Sequence, residues 1–239
     1  MKKTLTILIF LLMSVSFGAM AQMKSYLDLF FGPSFPEGNF ASIAYLNNKS
    51  GFAHNGSTFG LDGAFYLHKN WALAATLSFQ DQGELSAANV YSLSYGYTYS
   101  YSADNTTTIG VGRYQSINLL LGPQYSFKIN DKFSFDVRAQ AGFIKSLSTP
   151  ATTTGFVGAP KQTDSLYQKS STALAFAYSG GLALRYQFSD SFGLILRGTY
   201  IGSPGFNIST IDRQVDVGRL VTKQPVSLIQ TTLGISLNL

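Results

Sequence analysis

Hydrophobic and polar positions alternate along most of the chain. From Tyr26 to Phe35, one face takes Leu27, Leu29, Phe31, Pro33 and Phe35, and the other takes Asp28, Phe30, Gly32 and Ser34. A period of two marks a strand with two distinct faces. The same alternation puts Phe59, Leu61, Gly63, Phe65 and Leu67 on one face. After the turn at His68-Lys69-Asn70 it continues through Trp71, Leu73, Ala75, Leu77 and Phe79. A second hairpin runs from Ile117 to Phe127, turns at Asn130-Asp131-Lys132, and returns from Phe133 to Phe143. A third runs from Phe176 to Phe188, turns at Ser189-Asp190-Ser191, and returns from Phe192 to Tyr200. A last strand ends the sequence, with Ile229, Leu233, Ile235, Leu237 and Leu239 on its apolar face. This reading predicts eight strands. Three short turns alternate with four long connections at 36–55, 81–113, 147–171 and 202–224.

The direction of the amphipathicity selects the fold. One face of each strand is Leu, Ile, Val, Phe and Tyr, while the other is Gly, Ala, Ser, Gln and Asn with a few charges. Small residues make a poor hydrated shell, but they fill a narrow barrel, so the apolar face is expected to meet lipid. Aromatics bracket each turn (Phe65 and Trp71, Phe127 and Phe133, Phe188 and Phe192) and recur near the loop ends at Phe35, Phe79, Phe143, Phe176 and Tyr200. They predict two interfacial girdles. The fold class expected is all-β: an eight-stranded antiparallel transmembrane β-barrel of up-and-down topology.

Composition agrees. Charged residues are 12% of the 239, about half the roughly 25% of soluble domains. Mean hydropathy is +0.11, yet beyond the first twenty residues no apolar run approaches the ~18 of a membrane helix. The absence of cysteine excludes a disulfide scaffold, thiolate metal sites, a Cys nucleophile and a lipidated Cys anchor. Lys and Arg exceed Asp and Glu only slightly and form no run, so nucleic acid is not an expected partner. Met1-Lys2-Lys3, the apolar stretch Leu5 to Val15 and the small-x-small site Ala19-Met20-Ala21 read as a signal peptide over 1–21, with cleavage after Ala21 and a barrel domain over 22–239.

Several motifs carry a resemblance. Phe31-Gly32-Pro33-Ser34-Phe35, Leu121-Gly122-Pro123-Gln124-Tyr125, Gly60-Leu61-Asp62-Gly63-Ala64-Phe65-Tyr66 and the terminal strand resemble the eight-stranded outer-membrane β-barrel family typical of Bacteroidetes. That family is related in architecture to the OmpA transmembrane domain and to porin-family barrels. The resemblance spans 22–239 and implies a Gram-negative outer membrane, with lipid and the barrel-insertion machinery as partners. Thr232, Gly234, Leu237 and Leu239 resemble the C-terminal assembly signal read by that machinery. The aliphatic Leu239 departs from the usual aromatic last residue.

Candidate chemistry is sparse. Asp28, Asp62, Asp136, Arg138, Arg185 and Arg197 all fall on the small, polar face. Three acids and three arginines predict a buried ion-pair plug in the turn-proximal half of the barrel, since buried charges need partners. Gln124, Gln140 and Gln187 would satisfy leftover donors. The alternative is a narrow gated pore. Catalysis needs a nucleophile with an oriented base, and only His54, near Ser57 and Asp81, offers one, too loosely to define a triad. No catalytic, cofactor-binding or metal site is expected.

The second long connection repeats large side chains every other residue through Tyr91, Leu93, Tyr95, Tyr97, Tyr99 and Tyr101. Period two predicts a β-hairpin arm here, and its tyrosines suit a contact surface for a partner or glycan. Asp164-Ser165-Leu166 resembles an O-glycosylation tripeptide of Bacteroidetes. The expected function is an integral outer-membrane protein, monomeric, with a structural or surface-interaction role and no catalysis. The alternatives are a low-conductance porin for small solutes and a lipid-modifying enzyme.

Overall fold

The computed structural model describes residues 23–157, 165–208 and 223–239. The signal-peptide reading, with Ala19 and Ala21, and Asp164 of the tripeptide lie outside these residues. The chain order is β1 (Tyr26–Pro36), α1 (Gly38–Ala41), β2 (Gly56–His68), β3 (Trp71–Glu84), α2 (Ala87–Tyr101), β4 (Asn105–Val111), β5 (Arg113–Lys128), β6 (Phe133–Ser148), β7 (Ala151–Val157), β8 (Ser165–Gln168), β9 (Ala173–Gln187), β10 (Phe192–Asn207) and β11 (Lys223–Asn238).

Eight strands close into one antiparallel barrel in the order β1-β11-β10-β9-β6-β5-β3-β2. Each strand pairs with its neighbour along the barrel sequence, and β1 closes on β11 with Leu27 opposite Leu237 and Leu29 opposite Ile235. Closure removes the sheet edges, as a barrel in lipid requires. The short turns are set by local chemistry. Lys69 takes a left-handed φ of 44° between His68 and Trp71. The Asn130 side chain accepts from the backbone N–H of Lys132 (2.9 Å) and Phe133 (2.8 Å), an Asx turn. Ser189 Oγ accepts from Phe192 N–H at 3.0 Å.

The faces segregate as the alternation predicts. β1 reads buried and exposed in strict succession, with Leu27, Leu29, Phe31 and Phe35 outside and Tyr26, Asp28, Phe30 and Ser34 inside. Leu77, Leu119, Leu121, Leu182, Leu196, Leu233 and Ile235 continue the outward belt. Its edge near the turns is aromatic: Trp71 meets Tyr125 edge-on at 4.9 Å, and Phe133 lies 4.8 Å from Tyr186. Lys145, exposed just beyond Phe143, is the first charge above the belt on β6. The interior is narrow enough that glycine is needed where a bulky neighbour points in. At Gly60 a Cβ would clash with the backbone of Leu77 and press on Phe30 Cζ at 3.0 Å.

The long connections hold structure that the alternation does not predict. The Tyr-rich segment is the helix α2, not a β-hairpin arm. On a helix, residues spaced by two fall on two opposite faces, because each successive i+4 step turns only about 40°. Leu93, Tyr97 and Tyr101 form the buried face, and Tyr91, Tyr95 and Tyr99 the exposed one. Ser86 caps the N-terminus by accepting from Asn89 N–H at 3.1 Å, and Ser102 ends the helix in the left-handed region. β4, β7 and β8 form a separate three-stranded antiparallel sheet, joined to α2 by hydroxyl contacts. Thr98 and Thr106 lie 2.6 Å apart, and Thr108 N–H donates to Ser94 Oγ at 2.8 Å. Helix and sheet form a cap with its own core: Phe52, Leu93, Tyr97 and Tyr101, flanked by Tyr45, Leu85, Phe156 and Leu166.

Candidate functional site

Inward-pointing side chains stack in layers along the barrel. Nearest the short turns lies an open vestibule of about 270 Å³, lined by Tyr26, Tyr66, Lys24, Lys128, Lys132 and Arg185 among others. Above it the structure brings together all six charges named from the sequence. They form one alternating chain. Arg138 pairs with Asp62 at 2.5 Å, Asp62 with Arg197 at 2.8 Å, and Arg197 with Asp28 at 3.0 Å. Asp28 then pairs with Arg185 at 3.0 Å, and Arg185 with Asp136 at 3.5 Å. All six side chains are buried.

The register explains why this order is needed. Asp28 and Asp62 lie directly opposite each other on β1 and β2, an arrangement that repels unless a cation sits between them. Arg197 Nη2 donates to both. On the other wall the arginines face residues that leave room: Arg138 lies opposite Gly181, and Arg197 opposite Ala183. Neutral groups add further hydrogen bonds to the layer. Thr76 donates to Asp62 at 2.5 Å, and Ser126 to Asp136 at 2.6 Å. Arg138 donates to Gln124 at 2.8 Å and to the Tyr26 hydroxyl at 3.0 Å, and Arg185 donates to Ser236. The Arg185 guanidinium also lies 3.4 Å from the Tyr26 ring centroid, a cation–π stack.

The glutamines divide. Gln124 joins the network as expected. Gln140 lies instead 3.1 Å from the Thr76 hydroxyl and accepts from Ser179 at 3.4 Å. Gln187 sits beside the third turn, where it donates to the Asp190 carbonyl at 3.5 Å; it is too close to the strand end to reach the charges.

Nearer the loop end, a hydrogen-bonded polar set that includes Asn118, Gln80 and Gln230 interleaves with an apolar cluster. Leu120, Ile144, Ile201, Val226 and Leu228 meet Phe40 of α1, Tyr114 and Phe206. Phe40 enters because the first long connection folds back into the barrel mouth: Tyr114 donates to the Gly51 carbonyl at 2.8 Å, and Gln224 to the Lys49 carbonyl at 3.1 Å. Two voids of about 10 Å³ each remain, one beside Phe40 and Tyr114 and one between Arg197 and Leu120, each near the size of one water.

The remaining sequence candidates are placed as follows. Ser57 faces Asp81 in register, but Asp81 pairs with Arg113 at 3.2 Å and accepts from Gln115. The His54 ring contacts the carbonyl of Asn55. Thr232 and Gly234 point inward on β11, while Leu237 and Leu239 face outward. Leu239 N–H reaches the Ser25 carbonyl at 2.8 Å, which ties the end of the chain to its first strand. Among the described residues no group of three His, Asp or Glu is placed to hold a metal.

An apolar belt outside, charges inside and a closed sheet define an eight-stranded outer-membrane β-barrel. No family model matches the chain, and neither does any curated protein. Among solved structures it is similar to Neisserial surface protein A, with 9% identity and a TM-score of 0.46 over 90% of this chain and 97% of that one. It is similar to Ail, the attachment invasion locus protein of Yersinia pestis, with 13% identity and a TM-score of 0.41 over 90% and 99%. The N-terminal β-barrel domain of OprF from Pseudomonas aeruginosa gives 12% identity and a TM-score of 0.41 over 91% and 98%.

Proposed function

We propose that this barrel is a closed membrane anchor that holds its cap outside the cell as an interaction surface, without catalysis. One observation carries the reading: two different seals cross the interior, the alternating ion-pair layer and the apolar plug around Phe40. Eight strands leave room for side chains and not for a wide channel. The long connections, and hence the cap, lie on the extracellular side by the usual asymmetry of such barrels.

Planar-bilayer recording tests the seal. The expected result is no sustained stepwise current. Stepwise currents that Arg138→Ala abolishes would replace this reading with a narrow low-conductance porin. That second reading draws on the vestibule of about 270 Å³, which opens onto the ionic layer from the turn side. Labelling of intact cells at a cysteine introduced at the exposed Ala88 of α2 tests the orientation; a label that enters only after the outer membrane is opened would reverse it.

A further inference from the structure

We propose that the outward face of α2 is a binding platform for a neutral oligosaccharide, seated on the rings of Tyr91, Tyr95 and Tyr99. This rests on the surface-interaction reading above and gives its partner a chemical class. The three rings are 72%, 68% and 79% exposed. At spacing i, i+4, i+8 they rise about 6 Å per rung along the helix. Their exposure does not come from a loose helix. Leu93, Tyr97 and Tyr101 anchor its other face in the cap core, and Gly96 lets the Tyr45 ring lie against it, where it meets Tyr97 edge-on at 5.0 Å.

Three features of this face select the occupant. First, it is neutral. None of the 15 residues of α2 is charged, and none of the 7, 7 and 4 residues of β4, β7 and β8. On these elements a sulfated, phosphorylated or sialylated ligand would lose hydration without meeting a cation, and the charges that flank α2 in sequence, Glu84 and Asp104, are both acidic. Second, the exposed residues of α2 are Ala87, Ala88, Tyr91, Tyr95 and Tyr99, with no Leu, Ile, Val, Phe or Met among them. Those bulky residues make the lipid-facing belt of this same molecule, so the ladder is not built for acyl chains or an aliphatic protein surface. Third, it offers broad aromatic faces with hydroxyl tips, each of which both donates and accepts. A sugar ring presents the matching pair: a C–H face for the ring and a rim of hydroxyls for the polar tips. Three rungs suit three consecutive sugar units.

The test uses the full-length protein in lipid nanodiscs on an array of neutral tri- to hexasaccharides, with sialylated and sulfated glycans as the charged arm. Neutral glycans are expected to bind, and Tyr95→Ala to weaken binding by about tenfold or more, as for an aromatic hot spot. Tyr95→Phe keeps the ring and should stay within about threefold of the parent. Tyr95→Leu keeps apolar area without a ring and should behave like Tyr95→Ala. Binding only to charged glycans, no neutral binding by the folded protein, or full binding by Tyr95→Leu would overturn the proposal. Heat-modifiable gel mobility and protease resistance report barrel and cap integrity for each variant, and Tyr99→Ala replaces any variant that loses its cap. Cell labelling separates the two readings. A cap exposed on cells but inert on the array removes the glycan site alone. An array-active cap hidden from the medium removes the surface role alone.

Discussion

The barrel interior and the cap distribute charge in opposite ways. Six ionisable side chains are buried inside the barrel wall, while the helix and strands of the cap, on the watery side, carry no Asp, Glu, Lys or Arg. The difference follows from what each region must exclude. The interior is a column of small cross-section walled by lipid, where charges persist only in mutual contact. Their pairing therefore fixes which strands face which: the alternating chain ties β1, β2, β6, β9 and β10 together. The cap needs no such lock. It is held by aromatic packing and threonine hydroxyls, which frees its outer face for a composition that a solubility requirement alone would not select.

The comparison is most easily broken at Asp62, which serves both Arg138 and Arg197. Asp62→Ala leaves five charges with one cation in excess, and is expected to cost about 3–5 kcal/mol. The measurement is the urea midpoint for refolding into detergent micelles, followed by heat-modifiable mobility. Adding Arg138→Met to Asp62→Ala removes the end of the chain and leaves Arg197, Asp28, Arg185 and Asp136 alternating and balanced. The double variant should recover most of the loss. If it is as unstable as the single one, charge balance is not what the layer supplies.

Breaking the cap should leave the barrel intact. Leu93 is 5% exposed in the cap core, and Leu93→Ala is expected to cost the cap about 2–4 kcal/mol through lost burial and a residual cavity. Limited proteolysis should then cut within 87–111 while the barrel keeps its heat-modifiable shift. A coincident loss of both would show that the two regions fold as one unit.

The barrel was legible in the sequence because one rule, period two, governs both its walls. It places Asp28, Asp62, Asp136, Arg138, Arg185 and Arg197 on one side with no structural information. What it could not show is which charge meets which, because Asp28 to Arg197 is a contact over 169 residues and depends on closure. The cap misleads for a specific reason. A large side chain at every second position, tyrosine at all but Leu93 from 91 to 101, satisfies both a strand and a helix with two such faces, and only the ends decide between them. Ser86 with Asn89 three residues on, and an uninterrupted stretch of 15 residues, were the helix signals. The runs Thr106-Thr107-Thr108 and Thr152-Thr153-Thr154, which belong to the paired strands β4 and β7 and meet at Thr108 and Thr154, were β-branched strand signals inside segments that read as loops.

Those end signals can be tested directly. Ser86→Ala removes the acceptor for Asn89 N–H and should cost the cap about 1 kcal/mol. The readout is hydrogen exchange in the first turn of α2. Ser86→Asp, which keeps an acceptor and adds a negative charge at a helix N-terminus, should match or exceed the parent. Neither change should alter exchange in β1 or β11.

The smallest effect concerns Tyr101. Burial, with the nearby Tyr45 adding to it, pushes the Tyr101 hydroxyl above the ordinary tyrosine value. The folded cap thus favours the neutral phenol, whereas the unfolded segment ionises near pH ~10. This contribution to cap stability is fully present below about pH 10 and is lost as pH rises beyond it. Protease sensitivity of the cap should therefore increase on the alkaline side, and Tyr101→Phe should shallow that rise without changing sensitivity at neutral pH by more than the loss of one hydroxyl allows. A Phe variant with an unaltered alkaline profile would mean that another group sets the pH response of the cap.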